Sequence, residues 1–145
     1  LRYAIDCEFI DTPQGSALIS LGLVREDGEG RYWEFNFPHE WITPWLAENV
    51  IPHMDGGWVE PQEAAREICE FIGNDKPEFW CYFGAYDWYW FCRLFGGLFN
   101  IPDGWPHRYR ELADFVSGKP VAEGVQHNAL ADARGIMATL KAISQ

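Results

Sequence analysis

The sequence predicts one α/β domain, a sheet covered by helices. Three strand-like segments follow one another within the first 37 residues, and helical periodicity then alternates with a further strand. With 145 residues, 48% of them apolar and eight of them Trp, the chain can build a single hydrophobic core, and residues 1–145 are read as one domain.

The first strand is Leu1 to Ile10, LRYAIDCEFI. Side chains alternate along a strand, so Arg2, Ala4, Asp6 and Glu8 share one face and Tyr3, Ile5, Cys7 and Phe9 the other. Two acids therefore stand side by side in an apolar segment. Either the strand is an edge with a wet face, or the carboxylates are compensated, and a divalent cation would do that. Asp11 to Gly15 reads as a turn, Ser16 to Val24 as a second strand, Glu26 to Gly30 as a hairpin connection and Tyr32 to Phe37 as a third strand. The result is a meander in which the first strand becomes internal if a later strand pairs with its free side.

Beyond Pro38, Glu40 to Asn49 reads as a short helix and Ile51 to Gly57 as a loop. His39 and His53 have no spaced acid or cysteine partner and read as packing or surface residues. Pro61 opens a helix whose apolar positions Ala64, Ala65, Ile68, Phe71 and Ile72 have helical spacing, ended by Gly73. Glu78 to Phe83 is an aromatic strand, and Ala85 to Phe95 a helix stopped by two glycines. Asp87 falls in that helix's first turn, where the dipole favours an anion. Residues 107–115 fit a strand or a helix, and 128–143 carry the clearest amphipathic helix, preceded by His127 and containing Asp132.

A net charge of −11 excludes a broad duplex-coating surface, although not a cleft that grips one strand end. Cys7, Cys69, Cys81 and Cys92 lack the paired spacing of a zinc or redox site and read as reduced. With no signal-peptide pattern and no apolar run of about 18 residues, the expected setting is cytoplasmic, without a membrane.

Asp6, Glu8, Asp87 and Asp132 with His127 make a chemically coherent set. Four carboxylates can hold two hard cations about 4 Å apart, one activating a water and one stabilising the leaving oxygen. An imidazole titrating near neutrality can take the water's proton. Such apparatus cuts phosphodiesters.

The order D-x-E, aromatic-D after a mid-chain strand, then H-x4-D resembles the DEDDh branch of the 3′-5′ exonucleases, which includes ribonuclease T, oligoribonuclease and polymerase proofreading domains. DCEF, GAYD and HNALADA are similar above all to a group of stand-alone actinobacterial and phage-like exoribonucleases. The resemblance implies a ribonuclease H-like fold with a mixed five-stranded sheet flanked by helices. It also implies two Mg²⁺ or Mn²⁺ ions: Asp6 bridging both, Glu8 and Asp132 completing the first, Asp87 reaching the second through water, and His127 as general base. The implied reaction releases nucleoside 5′-monophosphates from the 3′ end of single-stranded RNA. Single-stranded DNA is the alternative substrate, and a non-catalytic RNA-binding or assembly module the alternative class.

Two positions depart from the family pattern: Phe9 replaces a small hydroxyl residue and Gly84 an asparagine. Phe9 and Ile10 are candidates to wedge or stack against terminal bases, Trp88 to line the cleft, and Arg108, Arg110 and Lys119 to contact phosphates. Core packing for the apolar residues and solvated charge for the basic ones are the competing readings. Trp41, Trp45, Trp58 and Trp105 exceed what one small core readily buries, which together with the homodimers among relatives predicts a homodimer.

Overall fold

A computed structural model describes residues 1–145. Strands β1 (Arg2–Thr12), β2 (Gly15–Arg25) and β3 (Gly30–Glu34) form the antiparallel meander. Strands β4 (Glu78–Cys81) and β5 (Arg110–Glu111) add to it in parallel, giving a five-stranded mixed sheet ordered β3-β2-β1-β4-β5. The first strand is thus central rather than an edge. Its apolar alternation reflects burial on both faces.

Helices α2 (Pro61–Ile72) and α3 (Ala85–Arg93) cover one face. Tyr3, Ile5 and Cys7 of β1 pack there with Phe79, Ile68, Ile72, Phe91 and Trp88. The opposite face, bearing Ala4, Val24 and Trp80, meets Ala133, Ile136, Met137 and Leu140 of α4 (Ala129–Ile143). A smaller core of Ile10, Ile19, Phe37, Leu46 and Val50 lies beneath α1 (Pro44–Asn49).

Element boundaries differ from the sequence reading for identifiable reasons. β1 runs on to Thr12 because the reversal needs only two residues, with Thr12 Oγ1 accepting the Gly15 N–H at 3.2 Å. A bulge between Glu8 and Phe9 lets β1 keep pairing with β2 beyond the acids. The expected helix at 40–49 is split into a 3₁₀ turn at His39–Trp41 and α1, since Pro44 cannot sit inside a helix and instead occupies its first turn, capped by the Thr43 hydroxyl. β3 stops at Glu34, whose buried carboxylate accepts the N–H groups of Asp55 and Gly56 at 2.6 and 2.8 Å. The ambiguous 107–115 segment is a two-residue strand followed by a 3₁₀ turn.

Gly22 positions the two halves of the molecule. It sits opposite Asp6 on β2, and a Cβ there would lie 2.4 Å from the Ala129 carbonyl oxygen and 2.6 Å from Leu130 Cα. Only a bare Cα lets the start of α4 rest on the sheet beside β1. The Asn128 side chain caps that helix, accepting the Ala131 N–H at 3.1 Å.

Candidate active site

Asp6 and Glu8 project from β1 toward α4, and His127 and Asp132 meet them from the helix's start. The four residues line one cavity of about 390 Å³, together with Tyr82, Phe83, Lys119, Pro120 and Ile136. Ligand atoms of Glu8, His127 and Asp132 all lie within 4.8 Å of one another. His127 has φ +67°, an unusual conformation for a residue with a Cβ, and its backbone N–H donates to Asp132 Oδ2 at 3.1 Å. That bond folds the residue before the cap back over the helix's first turn. It brings together two side chains that five helical steps alone would leave on different faces.

Asp87 reaches β1 from the edge rather than from the cavity. β4 ends at Cys81, so beyond that point β1 loses its parallel neighbour, and Asp87 Oδ1 accepts the Cys7 N–H at 2.8 Å. The carboxylate, 5% exposed, thus terminates the ladder between the two acidic residues of β1. The same bond holds it near Asp6.

Nothing basic balances this cluster fully. Burial, then the charge of Asp87 and Glu8, raises the Asp6 carboxyl well above the usual range. Burial and neighbouring Asp132 push Glu8 up to about 8, and burial pushes Asp87 up to about 7 against the opposing Cys7 N–H. Asp132 is also raised by burial, while His127 and Lys119 oppose. Asp6 Oδ2 is buried without a hydrogen-bond partner. An all-oxygen set of this kind, with one buried oxygen unpartnered and carboxylates crowded without a full counter-charge, fits a hard divalent cation. Asp6, Glu8, Asp87 and Asp132 are the residues that could hold one or more such ions.

The raised values set a pH dependence for the metal-free protein. An unfolded carboxyl ionises near 4, whereas in the folded state Glu8 keeps its proton up to about 8 and Asp87 up to about 7. The folded state therefore binds more protons between those limits, and stability must fall as pH rises through them. The contribution is complete below about pH 4 and lost by about pH 8. In chelator, the melting temperature is expected to drop between pH 5 and pH 8. A melting temperature that climbs over that range would contradict the assignment.

The substrate-contact candidates separate in space. Lys119 is exposed on the cavity and faces the acids. Phe9 is half-buried and stacks on Tyr86, with ring centroids 4.8 Å apart, and the Tyr86 hydroxyl donates to Asp11. Ile10 is buried in the core under α1, and Trp88, 9% exposed, packs among Phe79, Phe91 and Tyr109. Arg110 lies over the Trp80 ring and pairs with Glu78 at 3.6 Å, and Arg108 is exposed outside the cavity. Gly84 has a packing reason: a Cβ there would lie 2.1 Å from that of Cys81. No asparagine fits.

Sequence reasoning missed Phe83, Tyr82 and Trp45. The ring of Trp45, on α1, meets the His127 ring edge-to-face at a centroid distance of 4.9 Å. Asn128 Nδ2 also donates to the His53 carbonyl at 3.3 Å, so the segment following α1 braces the same corner. No local motif marks these residues, because their relation to the site is made by tertiary contact.

No family model matches the chain. It is 32% identical over 147 residues to the 3′-5′ exoribonucleases of Mycobacterium tuberculosis strains H37Rv and CDC 1551, covering 92% of this chain and 88% of each relative. Among solved structures, Escherichia coli exonuclease I in complex with a dT13 oligonucleotide is similar in fold, with a TM-score of 0.65 at 15% identity over 99% of this chain. Exonuclease I of Methylocaldum szegediense gives 0.57 at 19% identity over 94%. The chain spans 40% and 38% of those two proteins. At such identities the likeness is one of fold, and it agrees with the ribonuclease H-like sheet expected from the motifs.

Proposed function

The chain belongs to the family of 3′-5′ exoribonucleases, and from that premise we propose that it removes nucleoside 5′-monophosphates from the 3′ end of single-stranded RNA in a reaction dependent on two Mg²⁺ or Mn²⁺ ions. The observation that carries this reading is the meeting of Glu8, His127 and Asp132 beside the unpartnered buried oxygen of Asp6. A cavity of about 390 Å³ is in the range of small-ligand sites.

Asp6, Glu8, Asp87 and Asp132 would hold the metal. Bound divalent cations supply a lowered water pKa and neutralise charge developing on the leaving oxygen. His127 lies at the mouth of the acidic cluster, where its imidazole can accept the proton of the attacking water. Its backbone bond to Asp132 and the Trp45 edge limit where that ring can go. Lys119 supplies a positive charge that a strand's phosphate can approach despite the chain's overall negative charge. Metal binding also displaces protons from the raised carboxyls, so Mn²⁺ should increase the melting temperature more at pH 8 than at pH 5.

A cytoplasmic setting is part of the proposal, supported by four cysteines that are all free. No helix is long and apolar enough to cross a membrane. A homodimer is likewise proposed, supported by Trp45 and Trp58, which remain 52% and 53% exposed, whereas Trp105 is buried.

The test is product analysis of a 5′-labelled single-stranded RNA decamer with Mg²⁺ or Mn²⁺, beside its DNA counterpart and a chelator control. A ladder shortening from the 3′ end, faster for RNA and absent with chelator, is expected. Preferential digestion of DNA would reassign the substrate, and no cleavage by folded protein would leave a binding or assembly module.

A further inference from the structure

Strand β5 has only two residues, and one of them reaches out of the sheet to hold another element. Glu111 pairs with Cys81, the last residue of β4. Its Oε2 accepts the Phe83 N–H at 2.9 Å and its Oε1 the Gly84 N–H at 2.8 Å. Oε2 also accepts the Ala113 N–H at 2.9 Å, so the carboxylate is anchored to its own turn while it grips the one between β4 and α3. The gripped turn is tightly constrained. Phe83 has φ +49°, a left-handed conformation that a residue with a Cβ seldom adopts, and a Cβ at Gly84 would lie 2.1 Å from that of Cys81.

What this turn carries is α3. Gly84 is the residue before the helix, and its carbonyl accepts the Trp88 N–H at 2.9 Å. Asp87 stands three residues beyond Gly84, in the first helical turn, where its Oδ1 accepts the Cys7 N–H of β1 at 2.8 Å. One turn of helix therefore separates the backbone that Glu111 grips from the carboxylate that reaches the central strand. Glutamate suits the task because both of its oxygens are acceptors, as two successive N–H groups require. An amide of the same length would set a donor against one of them. The charge itself works the other way, since Glu111 helps to raise the Asp87 carboxyl. Its service to Asp87 is geometric.

From these contacts we propose that Glu111 is a positioning residue for Asp87: by fixing the turn at Phe83 and Gly84 it sets where the Asp87 carboxylate meets β1, and so completes the carboxylate set that would hold the metal. The inference rests on the nuclease reading and deepens it. Outer groups that orient a metal's ligands are worth about 10- to 100-fold in metal affinity or activity when removed. Glu111 would act at that scale without touching metal or RNA.

The test uses Glu111→Gln, with Ile72→Ala as a variant that truncates a buried side chain on α2 and lowers stability without touching the turn. In chelator, hydrogen exchange of the Cys7 amide, measured against the amides of the β1–β2 ladder, should accelerate about tenfold or more in Glu111→Gln and keep its wild-type ratio in Ile72→Ala. Calorimetric titration should show Mn²⁺ bound about 10- to 100-fold more weakly by Glu111→Gln. Asp87→Ala combined with Glu111→Gln should bind Mn²⁺ no more weakly than Asp87→Ala alone, because Glu111 acts through Asp87. If Glu111→Gln does not fold, Glu111→Asp, which draws both oxygens back by one methylene, should show the same pattern at smaller size. A wild-type Cys7 exchange ratio in the Glu111 variant, equal effects in Ile72→Ala, or additive losses in the double variant overturns the proposal. Cleavage of the RNA decamer is scored separately. A wild type that cuts no RNA defeats the nuclease reading, while Cys7 exchange and the Mn²⁺ comparison still decide the role of Glu111.

Discussion

Asp6→Asn is expected to abolish RNA hydrolysis, with a loss on the order of 10³-fold or more, while making the metal-free protein more stable. The two effects have one cause. Asp6 is surrounded by Glu8, Asp87 and Asp132, and burial together with their charges disfavours its ionised form. An amide of the same shape removes one member of a repelling cluster and can donate to a neighbouring carboxylate. A gain of about 1 kcal/mol would raise the melting temperature by roughly 2–4 °C for a chain of this size. The same change removes the hard oxygen charge that a divalent cation needs. Activity measured on the RNA decamer and thermal unfolding in chelator check both halves. If Asp6 were only a structural residue, stability and activity would fall together.

Gly22→Ala should produce that joint loss. The added methyl meets backbone on α4, at 2.4 Å from the Ala129 carbonyl oxygen, so no side-chain adjustment can relieve it. The start of the helix has to lift from the sheet, costing roughly 1–3 kcal/mol as an overpacked contact. His127 and Asp132 move with it while Asp6 and Glu8 stay on β1. A displacement near 1 Å at a site of this kind can lower the rate about 10²-fold. Denaturant unfolding and single-turnover cleavage measure the two terms, with Gly57→Ala as a comparison because nothing lies within 4 Å of a Cβ there. Activity at the wild-type level in Gly22→Ala would show that the packing of α4 on β2 does not set the site.

Much of this arrangement is legible in the sequence because its signals are local. Period-two alternation put Asp6 and Glu8 on one face of β1, and α4 follows from its apolar stripe. The strand that makes β1 central was visible as EFWCYF, although it stops at Cys81, beyond which Glu111 turns the chain by binding the Phe83 and Gly84 N–H groups. That carboxylate is 27 residues away from Gly84, so no window of neighbouring residues contains the cause. Asp87 was legible as an acid in a helix's first turn, but its bond to the Cys7 N–H depends on where β4 ends. The apolar and cationic substrate candidates separate for the same reason. Trp88 and Ile10 follow the rule that large apolar side chains fill a core, Arg110 finds Trp80 and Glu78, and Lys119 faces the acids across the cavity. Phe83 gave no sign, since a left-handed backbone conformation at a non-glycine residue leaves no pattern in composition or spacing.

The most direct measurement is Mn²⁺ titration of the folded chain by calorimetry at pH 8, with Asp6→Asn beside it. Two ions per chain, with at least one lost in Asp6→Asn and protons released on binding, is the predicted result. No saturable Mn²⁺ binding to a folded wild-type chain would contradict the assignment of these carboxylates to a metal-dependent nuclease site.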